Sequence, residues 1–161
     1  MTTWIDGTDF ARYAPIPEEL LPGWEGNEAE DVIHECVSAF RLAGHDVLTL
    51  GGEPLPVTWL AEPLAFARWY EADGDAGLLP AVHGAVDSDA WEDVLSVALG
   101  GRYVLTDAGY DADEILGSLR GARQPVAALR VELAPGRYRV QSLTVEPAPD
   151  TRFVLDRLLP E

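Results

Sequence analysis

Three observations predict an α+β fold: an antiparallel sheet with a C-terminal meander and a few short helices packed on it. The last third of the chain alternates apolar and polar residues through successive segments separated by short turn signals, as strands of an antiparallel sheet do. An earlier segment, 64–71, alternates in the same way. The helical periodicities are short and stand apart from these strands, so helices segregate from the sheet. With 161 residues and no internal repeat, low-complexity run or linker, one domain over 1–161 is expected. It can bury about 70% of the surface its unfolded chain exposes.

The elements follow in order. Segment 15–26 is rich in Pro and Gly and reads as a loop with one short helical turn at 18–21. Val32, Ile33, Cys36, Val37 and Phe40 fit helical spacing. The Gly44-His45-Asp46 turn ahead of Val47-Leu48-Thr49-Leu50 also permits a hairpin whose first strand begins near Cys36. We read a short helix over 29–35 and then a strand. In the strand 64–71, Leu64, Phe66, Arg68 and Tyr70 share one face, and Ala65, Ala67 and Trp69 share the other.

Asp89 reads as a helix N-cap, with Glu92 in capping-box position. Trp91, Val94, Leu95 and Ala98 then make an apolar stripe, and Gly100-Gly101 ends the helix. A strand over 102–106 follows. A short helix over 111–119 opens on the acidic turn Asp111-Ala112-Asp113-Glu114, which suits its dipole. Strands over 126–133 and 137–145 are joined by Ala134-Pro135-Gly136, a tight-turn sequence. A third strand over 152–158 follows a turn rich in Pro and Asp.

Composition narrows the function. No apolar run approaches the roughly 20 residues of a membrane-spanning helix. The start, Met1-Thr2-Thr3-Trp4-Ile5-Asp6, lacks the pattern of a signal peptide. The single Cys permits no internal disulfide, which suits a reducing cytoplasm. The net charge is −17, from 28 acids against 11 bases, and every base is Arg. Without Lys, Schiff-base chemistry is excluded. Residues 1–75 carry 15 acids and 3 bases (net −12), and residues 76–161 carry 13 acids and 8 bases (net −5). Such a field repels nucleic acid and accelerates encounter with a basic partner. Solubility alone is the competing explanation.

Motifs for catalysis and metals are weak. His34-Glu35-Cys36 offers a ligand cluster, but a zinc site needs three or four ligands at recurrent spacing. Asp73-Gly74-Asp75-Ala76-Gly77 lacks the further acids of a calcium loop and reads as a solvated turn. Cys36 lies on an apolar face, the usual setting of an inert Cys. No G-x-S-x-G, P-loop or G-x-G-x-x-G occurs. No catalytic residue, metal or cofactor is therefore expected. Of the five Trp, Trp69 and Trp91 are expected inside the fold. Trp24 and Trp59 lie in or beside Pro/Gly loops, as interface anchors or packed beneath the loops.

The block Gly51 to Tyr70, GGEPLPVTWLAEPLAFARWY, resembles the core block of the Imm21 family of predicted bacterial immunity proteins. Members of that family carry a similar LGDEPLP run followed by an aromatic and an RW pair. The likeness extends upstream to Trp4-Ile5, to the segment from Pro17 to Gly26 and to Cys36. Downstream it includes Tyr103-Val104-Leu105-Thr106-Asp107-Ala108, the run from Leu129 to Val140, and Phe153 to Leu158. The chain departs from the pattern at Gly52, where an Asp is commoner, and over 8–13.

The resemblance implies a cytoplasmic immunity protein that neutralises a cognate toxin by stoichiometric binding. The charge suits a basic toxin domain such as a nuclease. Partner-facing candidates are Glu28, Glu30, Asp31, Glu53, Asp73 and Asp75, with Trp24 and Trp59 as aromatic anchors. The alternative is a small-molecule-binding protein or unusual enzyme on the same fold, and a third is an oligomeric scaffold.

Overall fold

The computed structural model describes residues 2–5, 10, 12–32, 37–51, 55–71, 74–121 and 126–161. The chain runs through β1 (Tyr13–Pro17), two 3-10 turns (Glu18–Gly23 and Glu30–Val32), β2 (Ser38–Leu42), β3 (His45–Thr49), β4 (Val57–Leu60) and β5 (Ala65–Glu71). It continues through α1 (Leu78–Ala85), β6 (Glu92–Asp107), α2 (Ala112–Leu119), β7 (Ala128–Ala148) and β8 (Thr151–Pro160). Six strands form one antiparallel sheet in the order β1-β6-β7-β8-β5-β4, and β2-β3 is a separate hairpin. The expected sheet-rich fold with short helices is what forms. The sequential strands β6, β7 and β8 are neighbours in it, a meander.

Two expected breaks turn out to be one irregularity inside a long ribbon. Where a helix was expected from Asp89 to Gly100, Glu92 onward forms the first half of the 16-residue strand β6, and the two strands expected over 126–133 and 137–145 are the single strand β7, without a turn at Ala134-Pro135-Gly136. Leu99 pairs with Gly136 and Gly101 with Leu133, so Ala134 and Pro135 stand opposite Gly100 alone. This is a β-bulge, where a proline without an N–H is tolerated. Gly101 adopts φ +99° there. The apolar residues of 91–98 carry both periods. The period of two prevails because Val97 and Leu99 then join Tyr138 and Val140 in one core.

A Cβ on Gly100 would stand 2.6 Å from the Cα of Pro135. Gly100→Ala is therefore expected to cost about 1–3 kcal/mol by overpacking the bulge, which thermal unfolding would register.

The loop expected over 15–26 starts too early, since Pro15 and Pro17 belong to β1. The Tyr13 carbonyl accepts from the Leu50 N–H at 2.9 Å on the side away from β6. Residues 15 and 17 share that outward orientation, so neither proline interrupts the pairing with β6. The turn expected at 44–46 is Ala43-Gly44, with φ +48° and +83°. The helix expected over 29–35 is a 3-10 turn at Glu30–Val32, and 33–36 lie outside the described residues. Helix α2 has the expected acidic start: Asp111 and Glu114 form a reciprocal capping box. Helix α1 has no counterpart among the expected elements, being eight residues long with Pro80 in its first turn.

The core lies on both sides of the sheet. On one side Tyr13, Phe66, Leu105, Val131 and Val140 pack with Leu48 and Leu50. On the other, Ile16 and Val104 pack under Trp24 and Ile115, while Ala67, Phe153 and Leu155 pack under Leu78 and Val82 of α1.

Candidate protein-binding surface

The structure does not gather the expected partner-facing residues. Glu30 and Asp31 are exposed on the 3-10 turn near β1, and Glu30 lies 3.7 Å from Arg12. Glu28 turns back on its own loop, its carboxylate accepting from the Glu25 N–H at 2.6 Å and the Gly26 N–H at 2.9 Å. Trp59 and Asp75 sit toward the opposite edge of the sheet. Trp59 is half-buried on β4 with its ring 4.8 Å from Phe66. Asp75 accepts from the Trp4 indole at 2.8 Å, and its carbonyl receives the Leu78 N–H at the start of α1. Glu53 and Asp73 lie outside the described residues.

Trp24 is not an exposed anchor. It is 2% exposed, and its indole donates to the Ala108 carbonyl at 2.9 Å. It packs beneath the loop, because a buried indole needs both apolar neighbours and an acceptor. Trp91 is inside as expected, and Trp69 is half-buried.

Among the described residues the sheet holds one fully buried ion pair, which no sequence motif marks. Arg68 Nη2 lies 2.9 Å from Asp156 Oδ2, with 6% and 1% of their side chains exposed. Arg68 also donates to the Leu50 carbonyl, and Ser142 donates to Asp156 Oδ1. Burial pushes the Asp156 carboxyl up against the pull of Arg68. The available signal was an arginine on the apolar face of β5, sharing it with Phe66.

Arg157 makes a second anchor. Its guanidinium stacks 4.1 Å from the Trp91 ring centroid and donates to Gln141 and to the Val86 carbonyl, each at 2.8 Å. This ties the end of α1 to the sheet.

Six exposed arginines lie beside acids. Arg102 and Arg130 face Glu18 at 3.4 and 4.0 Å, while Arg137 and Arg139 face Glu161 at 3.7 and 3.6 Å. Arg41 and Arg152 pair with Asp46 and Glu146 at 2.7 and 2.9 Å. Such exposed pairs are worth only about 0–1 kcal/mol each. Their larger consequence is that four acids offset much of the charge of these six arginines where it occurs. The acidic surplus, including Glu25, Asp31, Asp87, Asp89, Glu92 and Asp113, is left facing solvent. Asp46 also accepts from the Ala98 N–H at 2.9 Å, and that bond holds its carboxyl below the ordinary range.

Two open depressions have volumes of about 420 and 360 Å³. The first runs along β4, with Thr58, Trp59, Glu62 and Arg130 on its wall. The second lies between the β2-β3 hairpin and β6, where His45 and Asp46 come together. Among the described residues no group of three His, Cys, Asp or Glu side chains is placed to hold a metal ion. No helix there is long and apolar enough to cross a membrane.

The fold and its surface define an acidic, sheet-rich α+β protein in which most of the described arginines lie beside an acid. A family model described as Immunity protein 21 matches residues 4–151. The chain belongs to this Imm21 family. No curated protein and no solved structure matches it.

Proposed function

We propose that the protein neutralises a cognate toxin domain in the cytoplasm by stoichiometric, electrostatically steered binding. Membership of an immunity-protein family supplies the class. The observation that carries the mechanism is the net charge of −17, on a surface where six exposed arginines lie beside acids. A basic partner best matches that field, and a nuclease with a phosphate-binding cleft is such a partner. Its cleft, built for phosphate oxygens, accepts carboxylates in their place. The exposed Glu30 and Asp31 remain contact candidates, and Trp59 offers a half-buried aromatic at the far edge.

The test is co-purification with the product of the neighbouring gene, followed by association kinetics at low and high salt. A one-to-one complex is expected, with an on-rate that falls by roughly 10- to 1000-fold as salt screens the field. A well-folded protein that captures no neighbouring product would overturn the proposal. A complex whose on-rate ignores salt would remove the steering and keep the inhibition.

A further inference from the structure

The long strand β6 has a neighbour on both sides for only part of its length. Pairing with β1 covers 103–107, whereas 92–101 is paired with β7 alone. Alternate peptide groups of that stretch therefore point away from the sheet. Two of these outward amides are met by side chains. The Ala98 N–H donates to Asp46 Oδ2 at 2.9 Å, and the Gly100 N–H donates to the Tyr103 hydroxyl at 2.8 Å. Ser96, two residues before Ala98, turns its N–H the same way. Among the described residues no group accepts from it.

An open strand edge is a template for another strand, and natural proteins normally blunt it. Here the Asp46 carboxylate stands where a neighbouring strand's carbonyl would stand, at one end of the edge. The stretch before it carries a β-bulge at Val94, between Asp93 and Leu95, and among the described residues no strand pairs with its outer side. Beside it Val94 and Leu95 are only half-buried on the main core, so one more strand would complete their burial.

We infer that the β6 edge over 92–98 is where the toxin docks, by adding an extended strand of its own to the sheet. This rests on the immunity reading above. The occupant is an extended toxin segment with apolar residues opposite Val94 and Leu95 and basic residues beside the exposed Glu92 and Asp93. Charge complementarity selects it. The competing occupant, the same edge of a second copy, would bring together two chains of net charge −17 and place their acids side by side. Main-chain pairing supplies affinity, and the flanking acids select a basic strand.

The experiment compares toxin binding by the wild type, Ser96→Pro and Ser96→Ala. Proline removes the outward N–H at an edge position that tolerates it. Alanine keeps the backbone and deletes only the hydroxyl, which bonds Glu161 at 3.2 Å. Ser96→Pro is expected to weaken binding about 100-fold, since a buried carbonyl loses its donor and the ring obstructs the strand. Ser96→Ala is expected to stay within about threefold, as a surface change.

If Ser96→Pro does not fold, hydrogen exchange of the wild type decides. Toxin should slow exchange of the Ser96 amide by about tenfold or more. Wild-type affinity in a folded Ser96→Pro, or an unchanged Ser96 amide in the complex, overturns the docking site while the immunity function stands. Protection of Ser96 in the isolated protein that grows with its concentration assigns the edge to self-association and overturns it too. Failure of the wild type to bind any neighbouring product sinks the immunity reading, and the docking site with it.

Discussion

Replacing Arg68 by alanine is expected to destabilise the fold by about 3–5 kcal/mol, well beyond what the loss of any exposed ion pair on this surface would cost. The reason lies in what remains. Asp156, with 1% of its side chain exposed, would keep only Ser142 as a partner and lose the cation 2.9 Å away. The Leu50 carbonyl would also lose its donor.

The effect should depend on pH, and its sign follows from the direction of the carboxyl's shift. Burial already raises the Asp156 pKa in the folded state. Its contribution is therefore fully present below the unfolded value, near 3.8, and is lost as pH rises through the folded value. Arg68 is one of the influences that lower the folded value, so removing it widens the gap. Urea midpoints should fall further at pH 8 than at pH 5. The double substitution Arg68→Met with Asp156→Leu should recover most of the loss, because apolar replacement removes both desolvation costs. A single Arg68→Ala variant within about 1 kcal/mol of wild type would show that water reaches Asp156.

Trp24→Ala is the second large effect, about 3–5 kcal/mol from the cavity it leaves. Trp24 lies between Leu21 of the first 3-10 turn and Ala112 and Ile115 of α2, and Ile16 of β1 belongs to the same cluster. Its loss opens a cavity beneath α2 and leaves the Ala108 carbonyl without its donor. The melting temperature should drop by roughly 10 °C or more. Toxin affinity measured well below that temperature should change little, because Trp24 offers no exposed surface. A loss of affinity in a stable Trp24→Ala protein would return this residue to the interface.

Much of the fold was legible because local patterns agreed with tertiary demands. The acidic turn Asp111-Ala112-Asp113-Glu114 marked the start of α2, and alternation marked β5 and the 137–145 part of β7. Other segments carried two patterns at once. In 91–98 the apolar residues satisfy a helical stripe and a period of two, and their pairing partner lies some 45 residues away in sequence. Gly100-Gly101 and Ala134-Pro135-Gly136 each have the composition of a terminus. They form one bulge because they face each other, a relation that neither segment shows alone. Trp24 illustrates the same limit for the surface, since a loop tryptophan is exposed or buried according to what the rest of the chain places above it.

The amino-acid sequence by itself determined the charge and its lopsided distribution, the family, and the sheet-rich class, all of which depend on composition and local order. The tertiary structure decided which residues meet: the burial of Arg68 against Asp156, the pairing of arginines with acids, and the open edge beside Ser96. These depend on register between strands far apart in sequence, where a shift of one residue exchanges the two faces. No local pattern carries that information, because register is set by the packing of the whole sheet.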